Sequence, residues 1–382
     1  MTDMTSREFV APGFEDVVTT FRAGVVEPER SGASLSVWRD GVELINVWHG
    51  VSDYRTGSPW TASTTSVIFS CSKGLSALVM AQLHEAGVLD LDSPIADSWP
   101  EFAAHGKGAI SIADVMAHRA GVSAPAHDMS FDDALDTRRW AAQIAEQEPL
   151  WVPGEGHAYH ALTIGTIVQE LVLRVTGREL HELFHENIAA PLGADVTLKA
   201  GPGALDRVAH LVTSPEWDAL ADSSAESETS RALTLGGAFP PSLVTEDGGF
   251  NDPRAQAAGF AAAGGIGTAS GLAKIWSSTI RPTDGIRTIQ DATVRFISGV
   301  RSEGPWVYDV PAPYLRWGAG VELASPDGPH LSPTTFGHGG AGGQAAFADP
   351  ATGVAFGYVR SRLDTVYPVE PILASLREAL DR

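Results

Sequence analysis

Apolar residues recur with two different periods along this chain, and the change of period organises it. Phe14, Val17, Val18, Phe21 and Val25 lie at helical spacing and predict an amphipathic helix over residues 13–27. Two β-rich runs follow, Ser34 to Trp38 and Val42 to Trp48. Asp40-Gly41 sits between them, and both positions tolerate positive φ, so the text predicts a hairpin. From Ser72 to Ala86 the spacing turns helical, and Gly87 stops it. Residues 110–190 read as mainly helical, punctuated by Gly121, Pro153-Gly154, Gly177 and Pro191. Residues 200–255 are richer in Ser, Pro and Gly and show no clear period. Strands return at Trp317 to Leu323, Gln344 to Phe347 and Val354 to Arg360, the last two joined by a turn over Asp349 to Gly353. A helix from Val369 to Leu380 closes the pattern. Strands towards both ends and helices between predict an α+β fold. One domain is built from residues 1–88 and 240–382, a mainly helical domain of residues 89–239 is inserted, and a site forms in the cleft between them.

Composition narrows the partners. The 382 residues carry 47 acidic and 26 basic side chains, a net charge of −21. A polyanion repels nucleic acid and anionic membrane surfaces, so neither is an expected partner. Cys71 is the only cysteine, which excludes an intramolecular disulfide and a cysteine-built zinc site. No apolar run approaches the length of a membrane-spanning helix. The opening MTDMTSREFVAPGFED lacks a basic stretch followed by an apolar one, so the expected location is cytoplasmic. The expected ligand is a small molecule, with no cofactor or metal. Oligomeric state is left open.

Three segments carry candidate chemistry. In Ser70-Cys71-Ser72-Lys73, positions i and i+3 share a helix face, which sets an amine beside a hydroxyl that needs a base. A helix start there adds backbone N–H groups that favour an oxyanion. Lys73 serves as a base only if burial or nearby positive charge lowers its pKa. The bland alternative is a helix cap with an exposed lysine. The second segment runs from Pro153-Gly154 to Tyr159, with a helix following from about Leu162. Tyr159 there suits proton transfer between the serine and a leaving group, or else simply packs at a helix start. The third is Phe336-Gly337-His338-Gly339-Gly340-Ala341-Gly342-Gly343, whose glycines let a backbone approach a substrate closely. An edge strand there would offer the Ala341 N–H as half of an oxyanion hole, the Ser70 N–H being the other half. His338 would polarise the tyrosine or contact a substrate carbonyl.

In this order and spacing the three segments resemble the serine β-lactamase and penicillin-binding protein superfamily, above all class C β-lactamases and family VIII carboxylesterases. Ile68 to Gly74 resembles the nucleophile segment, Ala86 to Ile95 the stretch after its helix, Ile112 to Gly121 a further signature, and Gly264 to Ala273 the late loop and helix. The likeness covers roughly residues 30 to 365. It implies an antiparallel sheet flanked by helices and an acyl-enzyme on Ser70. Lys73 and Tyr159 would move the proton, and His338, Gly339 and Gly340 would border the substrate. Class C enzymes have Tyr-x-Asn where this chain has Ala161, and Lys-Thr-Gly where it has His338-Gly339-Gly340. Loss of both polar handles weakens β-lactam recognition and favours a small, short-acyl carboxylic ester. The alternative on the same fold is a β-lactamase or a D-amino-acid peptidase or amidase.

Two further motifs compete. His181-Glu182-Leu183-Phe184-His185 matches H-E-x-x-H, the helix motif of zinc metallopeptidases. Its longer form fails, because Ile188 stands where a metzincin has glycine. Gly337 to Gly342 matches G-x-G-x-x-G, but a strand rather than a helix is expected after it, which excludes dinucleotide binding. No G-x-S-x-G occurs, which argues against an α/β-hydrolase elbow.

Overall fold

The computed structural model describes residues 7–326, 328 and 330–382. The alternating runs at both ends meet in one nine-stranded antiparallel sheet. Its main strands are β1 (Phe9–Val10), β2 (Gly32–Arg39), β3 (Val42–Asp53), β4 (Arg316–Trp317), β5 (Glu322–Leu323), β6 (Phe336–Gly340), β7 (Gln344–Asp349) and β8 (Val354–Arg360). They lie in the order β1-β3-β2-β8-β7-β6-β5-β4, and Ser58–Pro59 adds a short ninth strand on β3. The β2–β8 pairing, with Ser36 opposite Gly357, joins the early part of the chain to the late part. Asp40 and Gly41 take φ of 50° and 81°, the double positive φ that the hairpin reading requires.

Helices cover both faces. Helices α1 (Glu15–Ala23) and α4 (Val369–Leu380) bury Val17, Phe21, Ile372 and Leu376 against Leu35, Val37, Val47 and Phe356. The opposite face of β2 and β8 presents Ser34, Ser36 and Gly357. These small residues let helix α3 (Ala269–Ile280) approach closely: a Cβ at Gly357 would stand 2.2 Å from the Ala269 carbonyl oxygen. Helix α2 (Cys71–Glu85) lies between the sheet and the helical region. It is buried all round from Cys71 to Ala81, as a helix apolar on every side must be.

Two expected elements differ. Trp317 to Leu323 is a tight hairpin of β4 and β5, because the chain reverses through Gly318–Val321, with Gly320 at φ 81°. The glycine segment around His338 is itself a strand, β6, whose first two residues pair with β5. Among the described residues, that side of β6 has no strand neighbour beyond Gly337, so His338 to Gly340 form an open edge. No helix among the described residues is long and apolar enough to cross a membrane.

Candidate active site

The segment that carries Ser70 is a forced turn. The short strand Ser66–Val67 ends, and Phe69 takes a positive φ of 43° before Ser70 starts α2. A buried non-glycine residue in that region is strained and needs outside support. Phe69 is buried edge-on against Phe250, 5.2 Å between ring centroids. The Ser72 hydroxyl donates to the Phe69 carbonyl and accepts the Gly265 N–H, at 2.6 and 3.0 Å. The Gly264–Ala273 stretch therefore fixes the turn from outside, and Ser70 stands at the N-terminus of a 15-residue helix.

Lys73 sits one turn on. Its amine donates to the Ser70 hydroxyl at 3.1 Å and to the Ala262 carbonyl at 3.0 Å. Burial holds its pKa well below the ordinary lysine range, only partly opposed by Cys71 and Glu322. The cap-with-exposed-lysine reading fails, since Lys73 is 5 % exposed.

Tyr159 completes the group. Its ring lies 4.7 Å under the Lys73 amine, and its hydroxyl hydrogen-bonds Ser70. Burial pushes the phenol's pKa up, and the bond to Ser70 only partly offsets it. The Ile112–Gly121 signature holds this tyrosine. His118 accepts the His160 N–H on its ring at 3.2 Å and the Ala158 N–H on its carbonyl at 3.3 Å. The Arg119 carbonyl accepts the Gly154 N–H at 3.0 Å. The His118 ring, neutral through burial, packs edge-on against Tyr159 at 4.9 Å, and Trp317 stacks on the tyrosine at 5.8 Å.

The open edge of β6 faces this group. The Cys71 thiol donates to the His338 carbonyl at 3.2 Å, tying α2 to the strand. His338 is buried, which lowers its pKa to about 3 and keeps it neutral. Its Nδ1 donates to the Gly339 carbonyl at 2.6 Å. Glu322 on β5 accepts the Gly339 N–H at 2.9 Å, so a carboxylate stands where a further strand residue would pair. Ser70, Tyr159, His338, Gly339, Gly340 and Ala341 all line one cleft of about 630 Å³. Trp217, Leu233, Leu315 and Tyr367 form much of the rest of its wall.

Gly340 tests the close approach. A Cβ there would meet the Ile68 carbonyl oxygen at 2.7 Å and Gln344 Cβ at 2.8 Å. Gly340→Ala is expected to push β6 away from the Ser70 turn. Steady-state kinetics should show kcat/KM for an activated ester falling by roughly tenfold or more, since small displacements of reacting groups are costly.

The sequence-selected residues Ser70, Lys73, Tyr159, His338, Gly339, Gly340 and Ala341 thus come together. Ala161, at the class C asparagine position, is buried with Ala124 and Ala232. The H-E-x-x-H residues lie elsewhere. Helix Leu180–Phe184 gives way to a π-turn at His185. The Glu182 carboxylate accepts the Glu179 N–H and lies 3.6 Å from Arg178. Among the described residues, no group of three or more His, Cys, Asp or Glu gathers as metal ligands. Sequence reasoning missed Glu322 and Trp217, which carry no local signal. It quoted His118 without giving it a role.

The sequence matches the family described as "Beta-lactamase" over residues 14–376. It is similar to "Esterase/beta-lactamase LipL" of Mycobacterium tuberculosis, with 31% identity over 360 residues, 92% of this chain and 82% of that protein. The structure is similar to that of EstA from Arthrobacter nitroguajacolicus, with TM-score 0.86, 27% identity and coverage of 98% of this chain and 99% of the other. It is also similar to the crystal structure of a family VIII carboxylesterase, with TM-score 0.84, 29% identity and coverage of 98% and 99%.

Proposed function

The chain belongs to the Beta-lactamase family and is a serine hydrolase, and on that premise we propose that it hydrolyses small, short-acyl carboxylic esters through an acyl-enzyme on Ser70. The observation that carries this reading is the Lys73 amine, buried, depressed in pKa and 3.1 Å from the Ser70 hydroxyl.

In this mechanism the neutral Lys73 amine takes the Ser70 proton as Oγ attacks the ester carbonyl carbon. Lys73 rather than Tyr159 is the first base, because burial favours the neutral form of both, and only a neutral amine accepts a proton. The backbone N–H groups of Ser70 and Ala341 receive the oxyanion, aided by the α2 N-terminus. As the tetrahedral centre collapses, Tyr159 gives its proton to the departing alkoxide and is resupplied by the Lys73 ammonium. Water then repeats the sequence on the acyl-enzyme, with the protons moving in reverse, and the acid leaves.

The neutral His338 and the buried Ala161 support an ester over a β-lactam, whose carboxylate and amide want a cation and an amide partner. The double name of the 31% identical relative supports β-lactam hydrolysis as the second reading. A comparison of kcat/KM for p-nitrophenyl acetate and nitrocefin separates them. The ester is expected to lead by about a hundredfold or more. Nitrocefin turnover that matched it would overturn the ester assignment.

A further inference from the structure

Tyr159 must hold its hydroxyl at the reacting atoms, yet no regular element carries it: residues 156–160 belong to neither helix nor strand. Small displacements of a reacting group are costly, so the segment needs another anchor. Two buried histidines supply it by gripping each other's backbone. Nδ1 of His118 accepts the His160 N–H at 3.2 Å, and Nε2 of His160 accepts the Val122 N–H at 3.2 Å. The two rings lie 5.7 Å apart. With the Ala158 N–H on the His118 carbonyl at 3.3 Å, both chain neighbours of Tyr159 are tied to residues 118–122. Each crossed bond needs a ring lone pair, so each ring is neutral and held in one tautomer. His160 donates from Nδ1 to the Ala158 carbonyl at 2.7 Å, which leaves its Nε2 free to accept. Burial favours these neutral forms, lowering the pKa of His160 to about 4 and that of His118 well below the ordinary range. His118 also takes a φ of 67°, a costly conformation for a residue with a Cβ.

The residue held in this way decides one part of the reaction. When the tetrahedral centre collapses, the bond from carbon to the alcohol oxygen breaks and its electron pair stays on that oxygen. An aliphatic alkoxide is too basic to leave unless the Tyr159 hydroxyl protonates it, and Lys73 then passes the former Ser70 proton to the tyrosine. p-Nitrophenolate is a stable anion and leaves without that proton. Resting on the reading of Tyr159 as the acid, we propose that His118 and His160 are positioning residues whose crossed hydrogen bonds set Tyr159 at the leaving oxygen. They thereby extend the substrate range from activated esters to esters of aliphatic alcohols. Histidines that only filled the core would affect all esters alike.

The test compares ethyl acetate with p-nitrophenyl acetate, which share one acetyl-enzyme, through kcat/KM, which reads the steps up to release of the alcohol. His118→Ala is expected to lower the value for ethyl acetate by roughly 10²-fold and that for p-nitrophenyl acetate by about fivefold or less. Tyr159→Phe should show the same grading. His118→Asn places an amide oxygen where Nδ1 stands and tolerates the positive φ, so it should bring ethyl acetate back to within about threefold of wild type. Equal losses for the two esters in a folded His118→Ala overturn the proposal, and so does an asparagine variant no better than the alanine one. Should His118→Ala not fold, His160→Gln and His160→Asn decide the matter. The glutamine oxygen reaches the Val122 N–H, whereas the shorter asparagine reaches only the Ala158 carbonyl. The glutamine variant must keep the ethyl acetate rate and the asparagine variant lose it, and equal rates overturn the proposal. An ungraded loss in Tyr159→Phe removes the acid assignment and the proposal with it. The ester reading itself fails only if wild-type protein hydrolyses neither ester.

Discussion

Ser70→Ala is expected to lower kcat for p-nitrophenyl acetate by roughly 10³- to 10⁵-fold, the loss that follows when a covalent nucleophile is removed and only binding and oxyanion contacts remain. The substitution deletes one hydroxyl at the start of a buried helix, and Lys73 keeps its bond to the Ala262 carbonyl. The folded state is therefore retained, and a melting curve within a few degrees of wild type should accompany the lost activity. A variant with full esterase activity would remove Ser70, and the acyl-enzyme with it, from the account.

Lys73→Met is expected to reduce kcat by a similar roughly 10³- to 10⁴-fold while making the protein more stable. Lys73 is buried without a carboxylate partner among the described residues, and burial depresses its pKa. The sign of the linkage follows. Between the depressed folded pKa and the unfolded value of about 10.4, the unfolded chain binds the proton that the folded chain has lost. Lys73 therefore costs stability at neutral pH, and the cost fades as pH rises through that window. Methionine fills similar space without the penalty, although the Ala262 carbonyl loses a donor. A gain of about 1–3 kcal/mol near pH 6, narrowing towards pH 10, is expected in urea melts. A variant that is less stable at every pH would contradict the buried-amine argument. The same depression sets the wild-type rate profile: the acid limb of kcat/KM should lie well below the ordinary lysine pKa.

Much of this architecture was legible because its signals are local. Asp40-Gly41 demands a hairpin whatever surrounds it, and the spacing of Val369 to Leu380 describes a helix that forms over those same residues. Trp317 to Leu323 misled for the same reason. Its composition suits a strand, but Gly318 and Gly320 allow a reversal that only the sheet's geometry selects. At the site, Ser70, Lys73 and Tyr159 were readable because each sits in a segment whose form is set nearby. The aromatic wall was not readable. Trp217, from a stretch without a period, lines the cleft, while Trp151, Trp306 and Trp317 are not among its lining residues. Trp317 is buried behind Tyr159 and acts by stacking. Glu322 belongs to the same class. A glutamate in a two-residue strand announces nothing until β6 is laid beside it and Gly339 turns its N–H towards it.

The most direct test of the central claim is to trap the acyl-enzyme. Protein mixed with excess p-nitrophenyl acetate, quenched in acid and digested, should yield an acetylated peptide with the adduct on Ser70, and Ser70→Ala should yield none. An adduct on another residue that persists in Ser70→Ala would contradict the account.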